Sequence, residues 1–389
     1  MRKINILILL LAIIFSNSSI ISAQNKAIFL GDSTVWADSI LEGLSDQQKI
    51  AQLFMVVAYS NKDEQHKKEI TNLIEQYKIG GLMFLQGGPI RQAKLTNYFQ
   101  DKSETPLMIA IDAEWGVAMR LDSSLRFPWN MTLGAIQDSN LIYQMGEEVA
   151  RQCKLLGIHI NFAPVVDVNS NPKNPIINNR SFGEDPDNVA SFGIAFMNGL
   201  QDNNVLACAK HFPGHGDTDS DSHKTLPIVN HSRKRLNNVE LLPFRKLINN
   251  GLGAVMVAHL NIPILDNTKD LPTSLSPKVV NGLLKEELGF TGLTITDGLN
   301  MQGVSKFYEP GLLDVKALLA GNDVLLFSAD VPKAIKEIEN AIINNQITQE
   351  EIDKRCRKIL IAKQWMGLDN YTPTEITMVA DEIITPHTR

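Results

Sequence analysis

The sequence predicts a single-domain α/β protein in which eight strand–helix units close into a (β/α)8 TIM barrel. Eight short apolar runs recur along the chain, separated by longer stretches with apolar residues at three- and four-residue spacing. The runs are almost continuously apolar, which is typical of parallel strands buried on both faces. Polar residues close several runs at their carboxyl ends, where the loops of a barrel meet. A doubly wound open sheet is the alternative, because a strand count from one sequence is easily wrong by one.

The eight apolar runs set the predicted strands, and the stretches between them set the helices. The predicted strands cover residues 52–57, 80–85, 107–112, 158–168, 206–212, 254–260, 293–297 and 323–327. Helical spacing predicts helices over residues 65–77, 139–156, 188–202, 240–249, 278–288, 331–344 and 349–365. The polar residues that close predicted strands, and are therefore expected at the barrel mouth, are Asp112, Asp167, Lys210, His211, His259 and Asp297.

Composition excludes several classes of protein. Apolar residues make up 44% of the chain, which is ample for a large core and argues against disorder. The net charge is −6, and no basic block or basic–aromatic stretch indicates a nucleic-acid partner. The three cysteines, Cys153, Cys208 and Cys356, are far apart and lack metal-like spacing, so we expect buried free thiols.

The first 23 residues have the layout of a secretory signal. Arg2 and Lys3 precede an apolar run over residues 6–15, and cleavage is expected after Ala23. The run is shorter than the roughly 20 residues that span a bilayer, so we expect export rather than stable membrane insertion. The predicted organisation is a signal peptide over 1–23, a barrel domain over 24–370 and a polar tail over 371–389. The mature protein is expected to be periplasmic or extracellular.

The segment from Lys210 to His223 concentrates titratable groups in a turn-rich loop. It holds three histidines, one lysine and three aspartates. Asp221 and His223 lie two residues apart, so the carboxylate could orient the imidazole as a general acid/base. Four residues of this loop have side chains that can bind a metal: His211, His215, Asp217 and His223. Metal-dependent barrel hydrolases usually have a His-x-His pair after an early strand, and this sequence has none there. We expect neither a metal nor a cofactor.

Asp297 ends an apolar strand and is followed by Gly298, which places its carboxylate at the predicted mouth. The alternative is a helix N-cap, a position that aspartate favours. Combined with an acid/base on another loop, this carboxylate could attack the anomeric carbon of a sugar. Retaining glycosidases need two such groups about 5 Å apart.

Three other polar residues suit sugar recognition. Asp112 could accept hydrogen bonds from vicinal hydroxyl groups, and the nearby Trp115 could offer an apolar face to a sugar ring. Arg120 is either a substrate contact or the partner of a nearby carboxylate, and both interpretations stay open. Arg180 is a substrate-binding candidate, whereas Asp185 with Pro186 is typical of a helix start.

Together these motifs resemble glycoside hydrolase family 3 β-N-acetylglucosaminidases of the single-barrel type. The resemblance extends from residue 44 to about residue 367, and its specific part is the segment 210–218 followed by Asp221-Ser222-His223. Further matching motifs follow the order of the family: 180–183, 240–244, 255–259 and 296–297. The resemblance implies that Asp297 is the nucleophile, and that His223, assisted by Asp221, is the acid/base. It also implies sugar-binding roles for Asp112, Arg180, Lys210 and His211, with Arg120 close behind.

The expected activity is a retaining exo-β-N-acetylglucosaminidase that acts on peptidoglycan fragments or related β-glycosides. The expected partner is a glycan containing N-acetylglucosamine, and the protein is expected to be a monomer. A neutral imidazole acid/base would not repel an anionic acceptor, so a β-N-acetylglucosaminide phosphorylase is an alternative. An inactive glycan-binding barrel is a second one. Many relatives have Asp-Gln-Glu-Gly-Gly-Arg-Val where residues 112–118 of this chain read Asp-Ala-Glu-Trp-Gly-Val-Ala. This chain also has Gly298 directly after the nucleophile. Because of these departures, the sequence does not assign the residues of the outer subsites.

Overall fold

Eight parallel strands form the centre of the molecule. A computed structural model describes residues 26–31, 33–218 and 226–384. The strands are β1 (Phe54–Tyr59), β2 (Gly81–Gln86), β3 (Met108–Ile111), β4 (Ile160–Asn161), β5 (Leu206–Phe212), β6 (Ala254–Val257), β7 (Leu293–Thr296) and β8 (Leu325–Leu326). Each strand pairs with the next from β1 to β7, and β8 pairs with β1. A bridge between Ile295 and Val324 joins β7 to β8. The circle closes, which confirms the predicted (β/α)8 barrel.

Helices follow every strand. Before the barrel lie α1 (Val35–Gly43) and α2 (Asp46–Ala51). The helices between strands are α3 (Glu64–Tyr77), α4 (Pro89–Asp101), α5 (Asn130–Gly134), α6 (Ser139–Leu155), α7 (Pro186–Gln201), α8 (Arg233–Asn238), α9 (Leu241–Ile248), α10 (Lys278–Glu287), α11 (Gln302–Ser305) and α12 (Leu312–Ala320). After β8 come α13 (Val331–Ile343), α14 (Gln349–Trp365) and α15 (Ile376–Glu382). Helix α10 has π-type hydrogen bonding.

Local sequence explains where the main helices begin. Asp185 caps α7 by accepting a hydrogen bond from the Asn188 backbone N–H at 2.8 Å, and Pro186 fills the first helical position. The predicted helix start at this dipeptide is therefore confirmed. Thr348 opens α14 with a capping box that includes Glu351. Such caps satisfy backbone N–H groups that have no partner within the helix.

The fourth strand is much shorter than predicted. Regular pairing covers only Ile160–Asn161 rather than residues 158–168. The following residues still lie against β5, where Ala163 and Pro164 accept hydrogen bonds through their carbonyl oxygens. Pro164 has no N–H to return, so the regular ladder stops here.

Eight of the fifteen helices in the described ranges were not predicted, and the two longest of these that lie between strands, α4 and α12, lack a clear polar–apolar stripe. Helix α12 is apolar over most of its length, and α4 mixes polar and apolar residues on its buried side. The predicted polar tail, residues 371–389, includes α15, which packs against α4 and α6 and buries Val379.

The three cysteines are free and buried, as expected. Burial raises the pKa of the Cys153 thiol to about 12, so this group is inert at neutral pH. Over the described ranges, we find no helix that combines the length and apolar character needed to cross a bilayer.

Candidate active site

A pocket opens at the carboxyl ends of the strands. Six residues predicted for the site line it together: Asp112, Arg120, Arg180, Lys210, His211 and Asp297. The wall is completed by Met83, Ile176, His215, Met256 and Leu326. The other two predicted site residues, Asp221 and His223, lie outside the described residues. The barrel brings together residues from three strand ends that are far apart in sequence.

Asp112 lies just beyond β3 and is held by two cations. Lys210 Nζ donates to Asp112 Oδ1 at 2.7 Å, and Arg120 Nη2 donates to Asp112 Oδ2. Burial alone would raise the pKa of Asp112, but the charges of Lys210 and Arg120 outweigh burial and hold it well below its usual range. Arg120 therefore pairs with a carboxylate and also lines the pocket, and its contact with a substrate stays a prediction.

Glu114 is a charged residue of this site that sequence reasoning missed. Its carboxylate receives Arg180 Nη2 at 2.7 Å and Arg180 Nε at 2.9 Å, and it lies 2.7 Å from Lys210 Nζ. Burial raises its pKa, yet these two cations bring it down to about 2. The sequence offered one signal for Glu114: it is two positions after Asp112 and therefore follows the same strand, β3.

Asp167 organises the other side of the pocket. Its Oδ2 lies 2.7 Å from His211 Nδ1, and its Oδ1 accepts the His215 backbone N–H at 2.7 Å. His211 donates its Nδ1–H to Asp167, so in the neutral ring Nε2 carries no proton. Nε2 can therefore accept a hydrogen bond from Arg180 Nη2, which lies 3.2 Å away. Asp167 was expected at the mouth, but its link to His211 was not predicted.

His215 continues this wall in a neutral form. It is almost completely buried, and its Nδ1 lies 2.8 Å from Thr218 Oγ1. Burial lowers the pKa of His215 to about 4, with the adjacent His211 adding to the effect. The next residue, Gly216, lies against the Val168 carbonyl oxygen, only 1.9 Å from where a Cβ would stand. Only glycine allows this close approach without a shift of the backbone.

Asp297 follows β7 directly and is half-buried at the pocket. Its Oδ1 accepts the Gly298 N–H at 2.8 Å, and its own N–H donates to Val257 of β6. The next helix, α11, has Met301 as its N-cap, so Asp297 is not a helix cap. This removes the structural alternative for its side chain.

His259 contacts the backbone next to Asp297. Its Nδ1 lies 2.7 Å from Ser274 Oγ, and its Nε2 lies 3.1 Å from the Gly298 carbonyl oxygen. A ring that donates to a carbonyl through Nε2 accepts from the hydroxyl through Nδ1, so His259 is held in one tautomer. Sequence analysis placed His259 at a strand end without assigning it a role.

The described residues contain no group of three or more His, Cys, Asp or Glu side chains arranged to hold a metal ion. His211 and His215 contact Asp167 and Thr218 instead. The site is therefore a set of fixed hydrogen-bond donors and acceptors, and the Asp297 carboxylate lies in the same pocket.

The fold and the pocket define a (β/α)8-barrel protein whose charged site lies at the carboxyl ends of the strands. The sequence model of the glycosyl hydrolase family 3 N terminal domain matches residues 46–362, and the chain belongs to this family. It is 36% identical over 323 residues to beta-hexosaminidase A of Pseudoalteromonas piscicida, covering 75% of this chain and 54% of that protein. It is 30% identical over 335 residues to beta-hexosaminidase LpqI of Mycobacterium tuberculosis, covering 82% and 83%.

Among solved structures, the fold is similar to a glycoside hydrolase family 3 beta-N-acetylglucosaminidase from Paenibacillus sp. str. FPU-7. The TM-score is 0.82 at 36% identity, and the match covers 89% of this chain and 67% of the other. A family 3 glycosyl hydrolase from Mycobacterium smegmatis gives a TM-score of 0.74 at 30% identity, covering 83% and 98%. The chain thus spans just over half of the Pseudoalteromonas protein and nearly all of the Mycobacterium smegmatis one.

Proposed function

We propose that the protein is a retaining exo-β-N-acetylglucosaminidase that forms a covalent glycosyl intermediate on Asp297. The observation that carries this proposal is the position of Asp297 in one pocket with Asp112, Arg180 and Lys210. A carboxylate with a fixed backbone, facing a dense set of sugar-binding groups, suits attack on an anomeric carbon. In this proposal His223, assisted by Asp221, exchanges the proton with the leaving oxygen.

The buried ions supply directed contacts for sugar hydroxyl groups. A lysine ammonium group has three donors, and among the described residues that of Lys210 contacts Asp112 and Glu114, so its third donor can serve the pocket. The Asp112 carboxylate receives one hydrogen bond on each oxygen and retains further lone pairs. A sugar with neighbouring hydroxyl groups can contact both side chains, since the Asp112 carboxylate accepts hydrogen bonds and the Lys210 ammonium group donates them.

The charge balance of the pocket favours a transition state of oxocarbenium character. Among the described residues, two carboxylates, Asp112 and Asp297, and three cations, Arg120, Arg180 and Lys210, line the pocket, and Glu114 and Asp167 contact the lining residues Arg180 and His211. Negative groups fixed around a developing positive charge stabilise it without reorganisation. The same balance favours water over phosphate as the acceptor, because each of these three cations already contacts a carboxylate. Hydrolysis is therefore preferred to phosphorolysis.

The names of the relatives support the choice of substrate. Curated relatives are called beta-hexosaminidases, and the Paenibacillus structure is that of a beta-N-acetylglucosaminidase. We propose peptidoglycan fragments or related β-N-acetylglucosaminides as substrates. We further propose that residues 1–23 direct export. Cell fractionation of the full chain, compared with a chain lacking these residues, tests the location.

The decisive experiment identifies products from a β-N-acetylglucosaminide with and without phosphate. We expect free N-acetylglucosamine in both, formed first as the β-anomer in a proton NMR time course. Release of N-acetylglucosamine 1-phosphate would establish the phosphorylase instead, and binding without turnover would establish the glycan-binding barrel. Turnover that persists in the presence of a chelator agrees with a metal-free mechanism.

Two variants test the assigned roles. Asp297→Ala is expected to abolish release of a chromogenic N-acetylglucosaminide, whereas Asp101→Asn, on the exposed end of α4, keeps full activity. His223→Ala is expected to slow substrates with poor leaving groups most, since their departure needs a proton. Full activity of Asp297→Ala would refute the mechanism.

A further inference from the structure

Asn174 is a buried carboxamide that joins two loops at the mouth of the barrel, and it is 1% exposed. Its Oδ1 accepts the backbone N–H groups of Ile176 and Ile177 at 2.9 and 2.8 Å. Its Nδ2 donates to the His215 carbonyl oxygen at 2.8 Å and to Thr218 Oγ1 at 3.3 Å. A carboxamide has two donor hydrogens and two acceptor lone pairs, so the side chain of Asn174 uses its full hydrogen-bonding capacity.

The acceptor half of Asn174 fixes the segment that holds Arg180. Ile176 lines the pocket, and its carbonyl oxygen accepts a hydrogen bond from Arg180 Nη1 at 3.2 Å. The Arg180 backbone N–H donates to the Ile177 carbonyl oxygen at 2.8 Å. Asn174 therefore orders the two residues that contact the guanidinium and the backbone of Arg180.

The donor half of Asn174 reaches the wall of the pocket that contains His215. Thr218 Oγ1 lies 2.8 Å from His215 Nδ1 and 3.2 Å from the His215 carbonyl oxygen. Hydroxyl groups donate to oxygen over roughly 2.5–3.0 Å, so the Thr218 proton belongs to the shorter contact with Nδ1. A neutral His215 ring that accepts at Nδ1 carries its own proton on Nε2.

Space filling between the two loops does not explain a carboxamide at this position. A buried amide group is costly unless it is hydrogen-bonded, and an apolar side chain would fill the same volume without that cost. Here one side chain contacts a loop after β4 and a loop after β5, 41 residues apart. Each loop also carries a residue that lines the pocket, Arg180 or His215.

We propose that Asn174 is a positioning residue for the hydrolysis: one half of its carboxamide holds Arg180, and the other half, through Thr218, holds His215 as the Nε2–H tautomer. Asn174 is not among the described residues that line the pocket, so it acts through these side chains. This inference rests on the proposed hydrolysis at Asp297, and it identifies a residue that sets the geometry of that site.

Substitutions at Asn174 and Thr218 separate the two halves. Asn174→Ala removes both halves. Asn174→Asp keeps the acceptor oxygen for Ile176 and Ile177, but its carboxylate has no N–H to donate. Thr218→Val removes only the hydroxyl between Asn174 and His215, and Thr218→Ser retains this hydroxyl.

Steady-state kinetics on one chromogenic β-N-acetylglucosaminide measures the effect on the reaction. We expect Asn174→Ala to raise KM and lower kcat, with kcat/KM falling about a hundredfold. Asn174→Asp and Thr218→Val should change KM less than about twofold and lower kcat about tenfold, because Arg180 stays in place while His215, which shares the pocket with Asp297, does not. Thr218→Ser should recover most of kcat.

Asn97 provides the matched control. It is a half-buried carboxamide on α4 that also bridges two segments: Nδ2 donates to the Thr374 carbonyl oxygen at 2.8 Å, and Oδ1 accepts the Thr374 N–H at 2.9 Å. Asn97→Ala removes a comparable set of hydrogen bonds away from the pocket. It should leave kcat and KM unchanged.

A long-range proton–nitrogen NMR spectrum of protein with ¹⁵N-labelled histidine reads the tautomer of His215 directly. The loss of signals in His215→Gln assigns them. We expect the proton on Nε2 in the unaltered protein and in Thr218→Ser. Asn174→Asp should move it to Nδ1, because the Thr218 hydroxyl then donates to the new carboxylate and its oxygen accepts from the ring.

The outcomes distinguish this inference from the proposed function. If the unaltered protein hydrolyses no β-N-acetylglucosaminide, the proposed function fails and the kinetic part of the inference fails with it, whereas the spectrum still decides the tautomer. If the protein is active but Asn174→Ala and Asn97→Ala lose the same activity, Asn174 is not a positioning residue. If Asn174→Asp leaves the His215 proton on Nε2, the contact through Thr218 is wrong.

Discussion

The ammonium group of Lys210 lies 2.7 Å from a carboxylate oxygen of Asp112, although 98 residues separate the two in the sequence. Glu114 lies at the same distance from this ammonium group, and all three side chains are buried. Buried charges stabilise as a complete set, because removal of one member leaves the others uncompensated. The end of β5 is in this way joined to the end of β3.

Lys210→Met is therefore expected to lower the free energy of unfolding by about 3–5 kcal/mol. Urea denaturation followed by circular dichroism measures this loss. The control is Lys354→Met, which removes the exposed pair with Glu350 on α14 and should change stability little. Equal midpoints for the two variants would contradict a structural contribution of the buried set.

His259→Ala is expected to lower kcat more than it changes KM. The variant leaves the Gly298 carbonyl without the ring donor, so the backbone next to Asp297 is less well fixed. His259→Gln, which restores an N–H donor, should recover part of kcat. Steady-state kinetics on one chromogenic substrate tests this, and a change in KM alone would show that His259 acts on binding instead.

Gly216→Ala should weaken both stability and turnover. The new methyl group would meet the Val168 carbonyl oxygen, so the backbone after His215 must move, at a typical cost of about 1–3 kcal/mol. Gly43→Ala, where nothing lies within 4 Å of the added methyl, is the matched control and should be at least as stable as the unaltered protein. Thermal unfolding of both variants decides the point.

Lys363 should make stability depend on pH in the alkaline range. Burial lowers its pKa from 10.5 to about 7, with the Cys356 thiol as a titratable neighbour, and its Nζ donates to Gln52 Oε1 at 2.7 Å. Between pH 7 and 10.5 the unfolded chain holds the proton that the folded chain has lost, so the free energy of unfolding rises with pH. Lys363→Met removes this rise.

Denaturant unfolding of both proteins from pH 6 to pH 10 tests the effect of Lys363. We expect the difference in unfolding free energy between the unaltered protein and Lys363→Met to shift by several kcal/mol in favour of the unaltered protein as pH increases. Parallel curves over this range would show that Lys363 has the same pKa in both states.

The sequence was a good guide to the barrel because buried parallel strands are continuous apolar runs. Each of these runs contains a strand, although β6 and β8 are three residues shorter than predicted and the fourth, interrupted at Pro164, is nine residues shorter. The seven predicted helices begin and end within a few residues of their predicted limits. Helix α12 was missed because its exposed face also carries apolar residues, Leu312 and Leu319, so no periodic pattern marks it.

The site was predictable where a residue type and a strand end coincide, as for Asp112, Lys210 and Asp297. The contacts between such residues were not. The pairing of Glu114 with Arg180 joins positions 66 residues apart, and only the closed barrel brings them together. The tautomer of His259 likewise depends on Ser274, which comes from the loop after β6.

The ion-paired set of Asp112, Glu114 and Lys210, which we call the floor of the pocket, keeps the same charges over a wide pH range. The cations hold the pKa of Asp112 well below its usual range and that of Glu114 near 2, and the two carboxylates raise the pKa of Lys210. A sugar that binds at acidic or at neutral pH therefore meets the same charges in this floor. A change of activity between pH 4 and pH 9 therefore reports ionisable groups other than these three, among them the proposed acid/base.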